Sequence, residues 1–248
     1  MPAAAARAPI VLVPGLLGFD RVSVGPYTVT RYFPGIEEAL TGAGYRVATA
    51  KPSLTAGVAC RADQLRVFIE GRFLGESVHL IAHSMGGLDA RYMITCLGMD
   101  RRVRSLTTIG TPHRGSSFAD WAIGRCSRVL RPILEFLRIP TEGFRDLTTE
   151  SCARFNESVP DAAGVEYHSV AGRCGPSNLS PLWWPAARVV RNEGPNDGVV
   201  SVRSATYGQT CEVWDGDHMH LVNRPNPRGT GWGHRPTDYL RLVHRVEP

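Results

Sequence analysis

The sequence predicts an α/β fold built on a mostly parallel, doubly wound sheet, because short apolar segments alternate along the chain with amphipathic helical segments. Apolar β-branched runs that stop at Pro or Gly are typical of buried parallel strands, and Ile10–Val13, which precedes Pro14-Gly15, is the first of them. Residues 62–74 show the helical pattern, since their apolar positions recur every three or four residues. With 248 residues and 43% hydrophobic content the chain can bury one large core, so we expect a single domain.

The other elements continue this alternation. The further predicted strands are residues 45–50, 78–82, 105–109, 165–171, 199–202 and 210–214. The predicted helices are residues 35–43, 62–74, 86–97 and 238–246. Active sites in doubly wound sheets lie at the carboxyl ends of the strands, so the loops after these strands are where we expect catalytic side chains.

One segment interrupts the alternation. About fifty residues separate the strands predicted at 105–109 and 165–171, which is too many for a plain helical crossover. An apolar stripe runs through this segment at Val129, Leu130, Ile133, Leu134 and Leu137. We therefore expect a helical lid inserted at about residues 116–160, with an ordinary amphipathic helix on the core as the alternative.

The charge of the chain gives no sign of a nucleic-acid partner. The formal net charge is +5, but the basic residues are scattered, and all except Lys51 are arginine. Neither a basic run nor a basic helical stripe is present, and no apolar stretch is long enough to span a membrane. The first nine residues lack the features of a signal peptide, so we expect either an intracellular protein or one whose leader has been removed.

The six cysteines are far apart in the sequence and form no CxxC pair. This spacing argues against a zinc site and against a disulfide-dense scaffold. At most one disulfide is expected, with Cys174 and Cys211 as its candidates, and the alternative is that every thiol is free.

Ser84 lies in the segment Ala82-His83-Ser84-Met85-Gly86-Gly87, between a predicted strand and a predicted helix. A serine hydroxyl needs a base to accept its proton and donors to hold the oxyanion that forms on attack at a carbonyl. A sharp strand-to-helix turn exposes such a serine, and small residues two positions before and after it allow strand and helix to approach. Ala82 and Gly86 satisfy this requirement, so we expect Ser84 to be the nucleophile of an α/β-hydrolase fold.

Five segments together resemble the bacterial true lipases of the Pseudomonas and Burkholderia type, which belong to the α/β-hydrolase superfamily. They follow the family's order along the chain and are residues 10–20, 82–87, 109–116, 196–201 and 217–223. Alanine at position 82, where glycine is usual, also occurs in small Bacillus lipases. The resemblance implies a serine ester hydrolase that acts on hydrophobic esters.

The remaining triad members follow from the chain order Ser, acid, His. Asp197 occupies a turn-rich loop, and His218 follows the last predicted strand. Asp161 and the pair Asp215 and Asp217 are the alternative acids. His220 is the alternative base, and the resemblance favours His218.

The oxyanion hole combines the backbone N–H of Met85, which follows the nucleophile, with one from the loop after the first strand. The resemblance assigns the second donor to Leu16. Pro14-Gly15 stands where relatives have His-Gly, so a side chain that could brace this loop is missing. His113 and Arg114 are expected to be structural residues that tie the lid base to the sheet.

The resemblance also implies a structural calcium, which the family binds with two aspartates. One of them lies two residues after the catalytic histidine, where this chain has His220, and a neutral imidazole is a poor calcium ligand. We therefore expect no metal and no cofactor.

These observations predict a lipase that hydrolyses acylglycerols or other hydrophobic esters through Ser84, His218 and Asp197. The alternatives are an esterase for short esters or polyesters, an acyltransferase, and a non-enzymatic binding protein on the same scaffold. The expected partners are the ester substrate and a lipid–water interface. We expect neither nucleic acid nor an obligate protein partner.

Overall fold

The computed structural model describes residues 7–17, 21–24, 27–129, 142–226, 228–229 and 234–247, with backbone alone for 21–24, 27–30 and 125–129. Most of the apolar stripe predicted for the lid lies outside these residues. Its first member, Val129, ends a described helix, and the other four fall between residues 130 and 141.

A six-stranded sheet forms the centre of the fold, and every pairing in it is parallel. Its strands lie in the order β4-β1-β5-β6-β7-β8. A separate antiparallel hairpin, β2 with β3, follows the first strand. The strands are β1 Ile10–Val13, β2 Arg21–Val24, β3 Tyr27–Arg31, β4 Val47–Thr49, β5 Val78–His83, β6 Val103–Ile109, β7 Glu166–Arg173 and β8 Thr210–Asp215.

Helices connect the strands and cover both faces of the sheet. In chain order they are α1 Ile36–Gly42, α2 Val58–Arg72, α3 Gly86–Cys96, α4 Ser117–Val129, α5 Glu142–Asp146, α6 Thr149–Ser158, α7 Trp184–Val190, α8 Val202–Ala205 and α9 Arg235–Val246. No helix among the described residues is both long enough and apolar enough to cross a membrane.

Alternate residues of the strands supply two separate cores, because successive side chains of a strand point to opposite faces. Val11 and Leu80 lie in the core beneath α2 and α3, where Leu65 and Ile69 join them. Ile10, Leu12 and Ile81 lie in the opposite core, against α1 and α9. The predicted doubly wound α/β architecture is therefore confirmed.

The strand predicted at residues 199–202 is wrong. This segment contains a single isolated bridge, between Asn196 and Ser201, and then helix α8. Asp197 accepts hydrogen bonds from the backbone N–H groups of residues 199 and 200, which turns the chain away from an extended path. The Ser201 side chain then caps α8 by accepting from the N–H of Ser204.

The disulfide considered between Cys174 and Cys211 is not formed, and both residues are free thiols. Cys174 lies just beyond the end of β7 and is half-buried, whereas Cys211 is exposed near the start of β8. Because β7 and β8 run parallel, these positions lie towards opposite ends of the strand pair. In that pairing Ser169 is the residue opposite Cys211.

Candidate active site

Ser84 occupies the turn between β5 and α3 with φ = 54°, a left-handed conformation that costs a non-glycine residue about 1–2 kcal/mol. The turn is held by its neighbours, since the Ser84 N–H donates to the carbonyl of Ile109 at 2.9 Å. A Cβ at Gly86 would lie 2.8 Å from the carbonyl oxygens of Val13 and Pro14. Glycine is therefore required for α3 to start this close to the end of β1.

A continuous hydrogen-bond chain joins the three predicted triad residues. His218 Nε2 lies 3.0 Å from Ser84 Oγ, and His218 Nδ1 lies 2.7 Å from Asp197 Oδ2. Asp197 is fully buried, and its second oxygen accepts the N–H groups of Val199 at 2.9 Å and Val200 at 2.8 Å. With the proton on Nδ1 facing the carboxylate, the lone pair of Nε2 faces the hydroxyl of Ser84.

The alternative acids and base make their hydrogen bonds elsewhere. Asp161 binds the hydroxyl of Tyr207, and Asp215 pairs with Arg173 on the surface. Asp217 accepts the N–H of His220 at 2.9 Å. The His220 ring in turn lies 3.3 Å from the carbonyl of residue 224.

The loop after β1 lies directly against Ser84. A Cβ at Gly15 would be 2.7 Å from Ser84 Cβ and 3.2 Å from its Oγ, so only glycine allows this approach. The next residue along the loop is Leu16, one of the two predicted oxyanion donors, and Met85 is buried beside the nucleophile. Within the described part of the chain, neither of their backbone N–H groups has an acceptor, which leaves both available to a substrate oxygen.

A buried chain of hydrogen bonds, which sequence reasoning missed, connects this loop to the triad. The Gly15 N–H donates to Tyr32 Oη at 3.2 Å, and Tyr32 Oη lies 2.7 Å from His83 Nδ1. His83 Nε2 lies 3.0 Å from the carbonyl oxygen of His218. That carbonyl can only accept, so Nε2 carries the proton and the Tyr32 hydroxyl donates to Nδ1.

Burial determines the protonation states of Tyr32 and His83 in this hydrogen-bond chain. It lowers the pKa of His83 well below the ordinary value and raises that of Tyr32 to about 12, so both side chains are neutral near pH 7. His83 was visible in the elbow motif, but Tyr32 has no sequence signal. Tyr32 braces the loop that contains Pro14 and Gly15.

A buried ion pair supports the same loop from the other side. Arg61 and Asp89 are both fully buried, with 2.8 Å between Nε and Oδ2. The Arg61 guanidinium also donates to the carbonyls of Pro14 at 2.8 Å and Gly15 at 3.2 Å. Burial raises the pKa of Asp89 to about 7, although Arg61 opposes the rise.

His113 and Arg114 connect the segment after β6 to its surroundings, as expected for structural residues. His113 Nε2 lies 3.0 Å from Thr108 Oγ1, and its ring stacks on Tyr207. The Arg114 guanidinium donates to the carbonyls of residues 203 and 206 at 2.7 Å. Arg91, another buried cation, lies 4.1 Å from the centre of the Tyr207 ring.

Hydrogen bonds from Asn226 hold the loop that carries His218. The side-chain amide of Asn226 donates to Asp217 Oδ2 at 2.6 Å and to the carbonyl of Asn178 at 2.9 Å. Asp217 is buried and directly precedes His218. No group of three or more potential metal ligands occurs among the residues that the structure describes.

The parallel sheet, its covering helices and the serine turn at the carboxyl edge define an α/β-hydrolase. Comparison with known proteins shows to which family within this class the chain belongs. A family model for a PGAP1-like alpha/beta domain matches residues 60–138. The chain is 31% identical to a triacylglycerol lipase of Vibrio cholerae, over 88% of its own length and 80% of the relative. It therefore belongs to the triacylglycerol lipase family and is an ester hydrolase.

Two further similarities agree with this assignment. Triacylglycerol lipase 2 of Saccharomyces cerevisiae is 34% identical over 81% of this chain, which spans 65% of that relative's length. The crystal structure of Bacillus licheniformis lipase BlEst2 in its mature form superposes with a TM-score of 0.75. That likeness covers 99% of this chain and 94% of the Bacillus chain at 20% identity, and it establishes the common fold.

Proposed function

We propose that this protein hydrolyses hydrophobic carboxylic esters, acylglycerols among them, with Ser84 as nucleophile, His218 as base and Asp197 as the acid that orients it. The observation that carries the proposal is the unbroken hydrogen-bond chain from Asp197 through His218 to Ser84 Oγ, at 2.7 and 3.0 Å. The names of the relatives support the substrate class.

In the first half of the proposed reaction, Ser84 Oγ attacks the ester carbonyl while His218 Nε2 takes its proton. The carbonyl oxygen becomes an oxyanion that the N–H groups of Leu16 and Met85 hold. His218 then gives its proton to the departing alcohol as the tetrahedral intermediate collapses to the acyl-enzyme. Asp197 stabilises the imidazolium, and its two backbone donors hold the carboxylate in place.

In the second half, His218 Nε2 takes a proton from water as the water oxygen attacks the acyl carbon. The tetrahedral intermediate then collapses, the bond between the acyl carbon and Ser84 Oγ breaks, and His218 returns the proton to Ser84 Oγ as the carboxylic acid leaves. If an alcohol replaced this water, the product would be a new ester, so an acyltransferase would use the same residues. Hydrolysis is the proposal because the named relatives are lipases.

We propose that the chain forms a single domain in which residues 116–160 are a lid. This lid covers the loop after β1 that contains Gly15 and Leu16, which we call the oxyanion loop. The position of helix α5 supports this proposal, because its Gly143 packs directly against the side chain of Leu16. A Cβ at Gly143 would lie only 2.5 Å from Leu16 Cδ1. Asp146, at the end of α5, accepts the N–H of Val58 at 2.7 Å. Hydrolysis of a long-chain ester should rise sharply when the substrate passes its solubility limit. Smooth saturation through that limit would contradict a lid that opens at an interface.

The proposal is tested by replacing Ser84 with alanine and measuring hydrolysis of nitrophenyl esters of increasing chain length. Loss of the nucleophile should lower kcat by about 10⁴- to 10⁶-fold on every ester. Ser177→Ala, at an exposed serine, is the matched control and should keep full activity. A folded Ser84→Ala protein with more than a tenth of the wild-type activity would contradict the triad. Wild-type rates that decline steadily with chain length would favour the short-ester alternative.

A further inference from the structure

Large apolar side chains are exposed on two sides of the proposed active site. Leu17 and Leu54 are 55% and 50% exposed beside the oxyanion loop, where the Leu17 N–H donates to the Leu54 carbonyl. Leu182 and Trp184 are 70% and 51% exposed beside the triad. The two pairs follow strands β1, β4 and β7, so they share the carboxyl edge of the sheet with Ser84.

Trp183 connects the second pair to the catalytic residues. Its ring lies edge-on to the His218 ring, with 5.9 Å between the ring centres. A Cβ at Gly198, next to Asp197, would be 3.0 Å from Trp183 Cβ, so this tryptophan is packed against the acid loop. The exposed residues on either side of it are therefore held at the rim of the site.

Helix α7 carries a basic face that continues this apolar rim. Trp184 and Arg188 of α7 and Arg191, in the turn that directly follows it, are spaced four and three residues apart and lie on one side, and all three are exposed. A fourth residue joins them, because the Arg228 guanidinium lies 4.9 Å from the centre of the Trp184 ring. One side of α7 thus presents an aromatic ring beside three guanidinium groups.

These arginines differ from the surface arginines that pair with carboxylates. Arg46, Arg66 and Arg173 each pair with a carboxylate, as do several more arginines of the chain. Among the described residues, Arg188 and Arg191 have no carboxylate partner.

The basic face lines a groove of about 640 Å³. Its described lining contains no aspartate or glutamate, and its apolar walls include Leu179 and Pro195. Arginines without carboxylate partners, next to exposed tryptophan and leucine, are complementary to a lipid surface, which is apolar in its interior and negatively charged at its headgroups.

We propose that this rim, defined as Leu17, Leu54, Leu182, Trp184, Arg188, Arg191 and Arg228, docks the protein on an anionic lipid–water surface. The leucines and the tryptophan enter the apolar layer, and the arginines contact the anionic headgroups. Docking in this pose faces the opening at Ser84 towards the lipid, so the inference deepens the proposed function and rests on it for its biological purpose. A soluble anion or a second copy of the chain are the alternative occupants of the groove.

The experiment measures binding of the full chain to phosphatidylcholine vesicles with and without phosphatidylglycerol, by co-sedimentation. Each basic residue next to an anionic surface strengthens binding about fivefold, so Arg188→Gln with Arg191→Gln should weaken binding to anionic vesicles about 25-fold. The matched control is Arg72→Gln with Arg101→Gln, which removes the same charge at exposed positions before β5 and β6, at the other edge of the sheet. The control variant should bind nearly as well as the wild type.

A second variant separates the apolar contribution. Trp184→Ala should weaken binding to both kinds of vesicle, while hydrolysis of a short soluble ester stays at the wild-type rate in all variants. Variants of the rim that lose vesicle binding but still hydrolyse the short soluble ester at the wild-type rate support docking. The triad is tested separately, by the loss of hydrolysis in Ser84→Ala. Equal wild-type binding to neutral and anionic vesicles, or equal losses in the two double variants, would overturn the proposal. If inorganic phosphate releases the protein from vesicles more than a neutral salt of the same ionic strength does, the groove binds a soluble anion instead. If the protein is a dimer that Trp184→Ala dissociates, the groove binds a second copy of the chain.

Discussion

At the scale of single residues, the proposed site depends on a few side chains that align separate loops. Tyr32 receives the Gly15 N–H and donates to His83, which in turn holds the His218 carbonyl. The elbow, the base and the oxyanion loop are consequently positioned by one chain of hydrogen bonds. Tyr32 acts on the proposed site through Gly15 and His83, so we regard it as a positioning residue.

Replacing Tyr32 with phenylalanine should lower kcat about ten- to a hundredfold and leave KM nearly unchanged. The change leaves the Gly15 N–H and His83 Nδ1 without their hydrogen-bond partner. An unpaired buried polar group costs about 1–3 kcal/mol, so the loop and the elbow should lose their alignment. The rate of phosphonate attachment to Ser84 should fall by the same factor. Tyr92→Phe, at a half-buried tyrosine of α3, is the control. A proportional rise of KM would contradict a role in alignment.

Gly15→Ala should lower kcat by about a hundredfold, because the new methyl group would lie 2.7 Å from Ser84 Cβ and must displace the loop or the nucleophile. Gly42→Ala is the matched control, since an added Cβ there meets nothing within 4 Å. Measured kcat values for the two variants test this directly. An active Gly15→Ala protein would mean that the loop moves freely.

At the scale of elements, the regular alternation was predictable, and the irregular segments were not. Residues 62–74 were predicted as a helix from apolar spacing, whereas α2 runs Val58–Arg72. Its first turn buries Val58 and Arg61, and an arginine gives no apolar signal in the sequence. The hairpin β2–β3 was missed although its residues alternate. At residues 199–202 the apolar run resembles a strand, but the carboxylate of Asp197 captures two backbone N–H groups and prevents it.

The candidate site was predictable to the extent that its chemistry is local in sequence. Ser84 is marked by the small residues around it, and the triad order directs attention to Asp197 and His218. Arg61 and Tyr32 touch the oxyanion loop from 46 and 17 residues away in sequence, and such contacts leave no periodic signal. The fold brings these supports together, so only the structure reveals them.

The loop before α9 leads to a prediction about metal. Because Asn226 already bridges Asp217 and Asn178, EDTA should change neither the activity nor the melting temperature. Asn226→Ala should instead lower both, with a loss of stability of about 1–3 kcal/mol, because Asp217 Oδ2 loses its donor while Oδ1 keeps the N–H of His220. Asn192→Ala, at an exposed asparagine, is the control. A melting temperature that falls in EDTA and recovers with calcium would refute this account.

At the scale of the whole molecule, the free energy of unfolding depends on pH through two buried histidines. Burial lowers the pKa of both His83 and His113 well below the ordinary value. Below about pH 6.5 the unfolded chain therefore binds protons that the folded chain does not, and stability falls as the solution becomes more acidic. Asp89 acts in the opposite sense, because its pKa is raised to about 7, so single variants are needed to separate the contributions.

His113→Gln should destabilise the protein at pH 7.5, because the ring stacks on Tyr207, but the penalty should shrink on acidification. Each buried neutral histidine costs up to about 1.4 kcal/mol per pH unit below its unfolded pKa, and the variant no longer bears this cost. Urea unfolding at pH 7.5, 6.5 and 5.5 measures the difference, with the exposed His234→Gln as control. A penalty independent of pH would show that His113 is protonated in the folded state.

Arg61 is as fully buried as the leucines of the core, and it therefore links inactivation of the enzyme on heating to unfolding. Its guanidinium holds the carbonyls of Pro14 and Gly15, while its own helix, α2, packs Leu65 and Ile69 into the central layer. The loop beside Ser84 therefore cannot detach while the interior stays intact, and thermal inactivation and global melting should share one midpoint. Residual activity after heating would then serve as a direct gauge of the folded fraction.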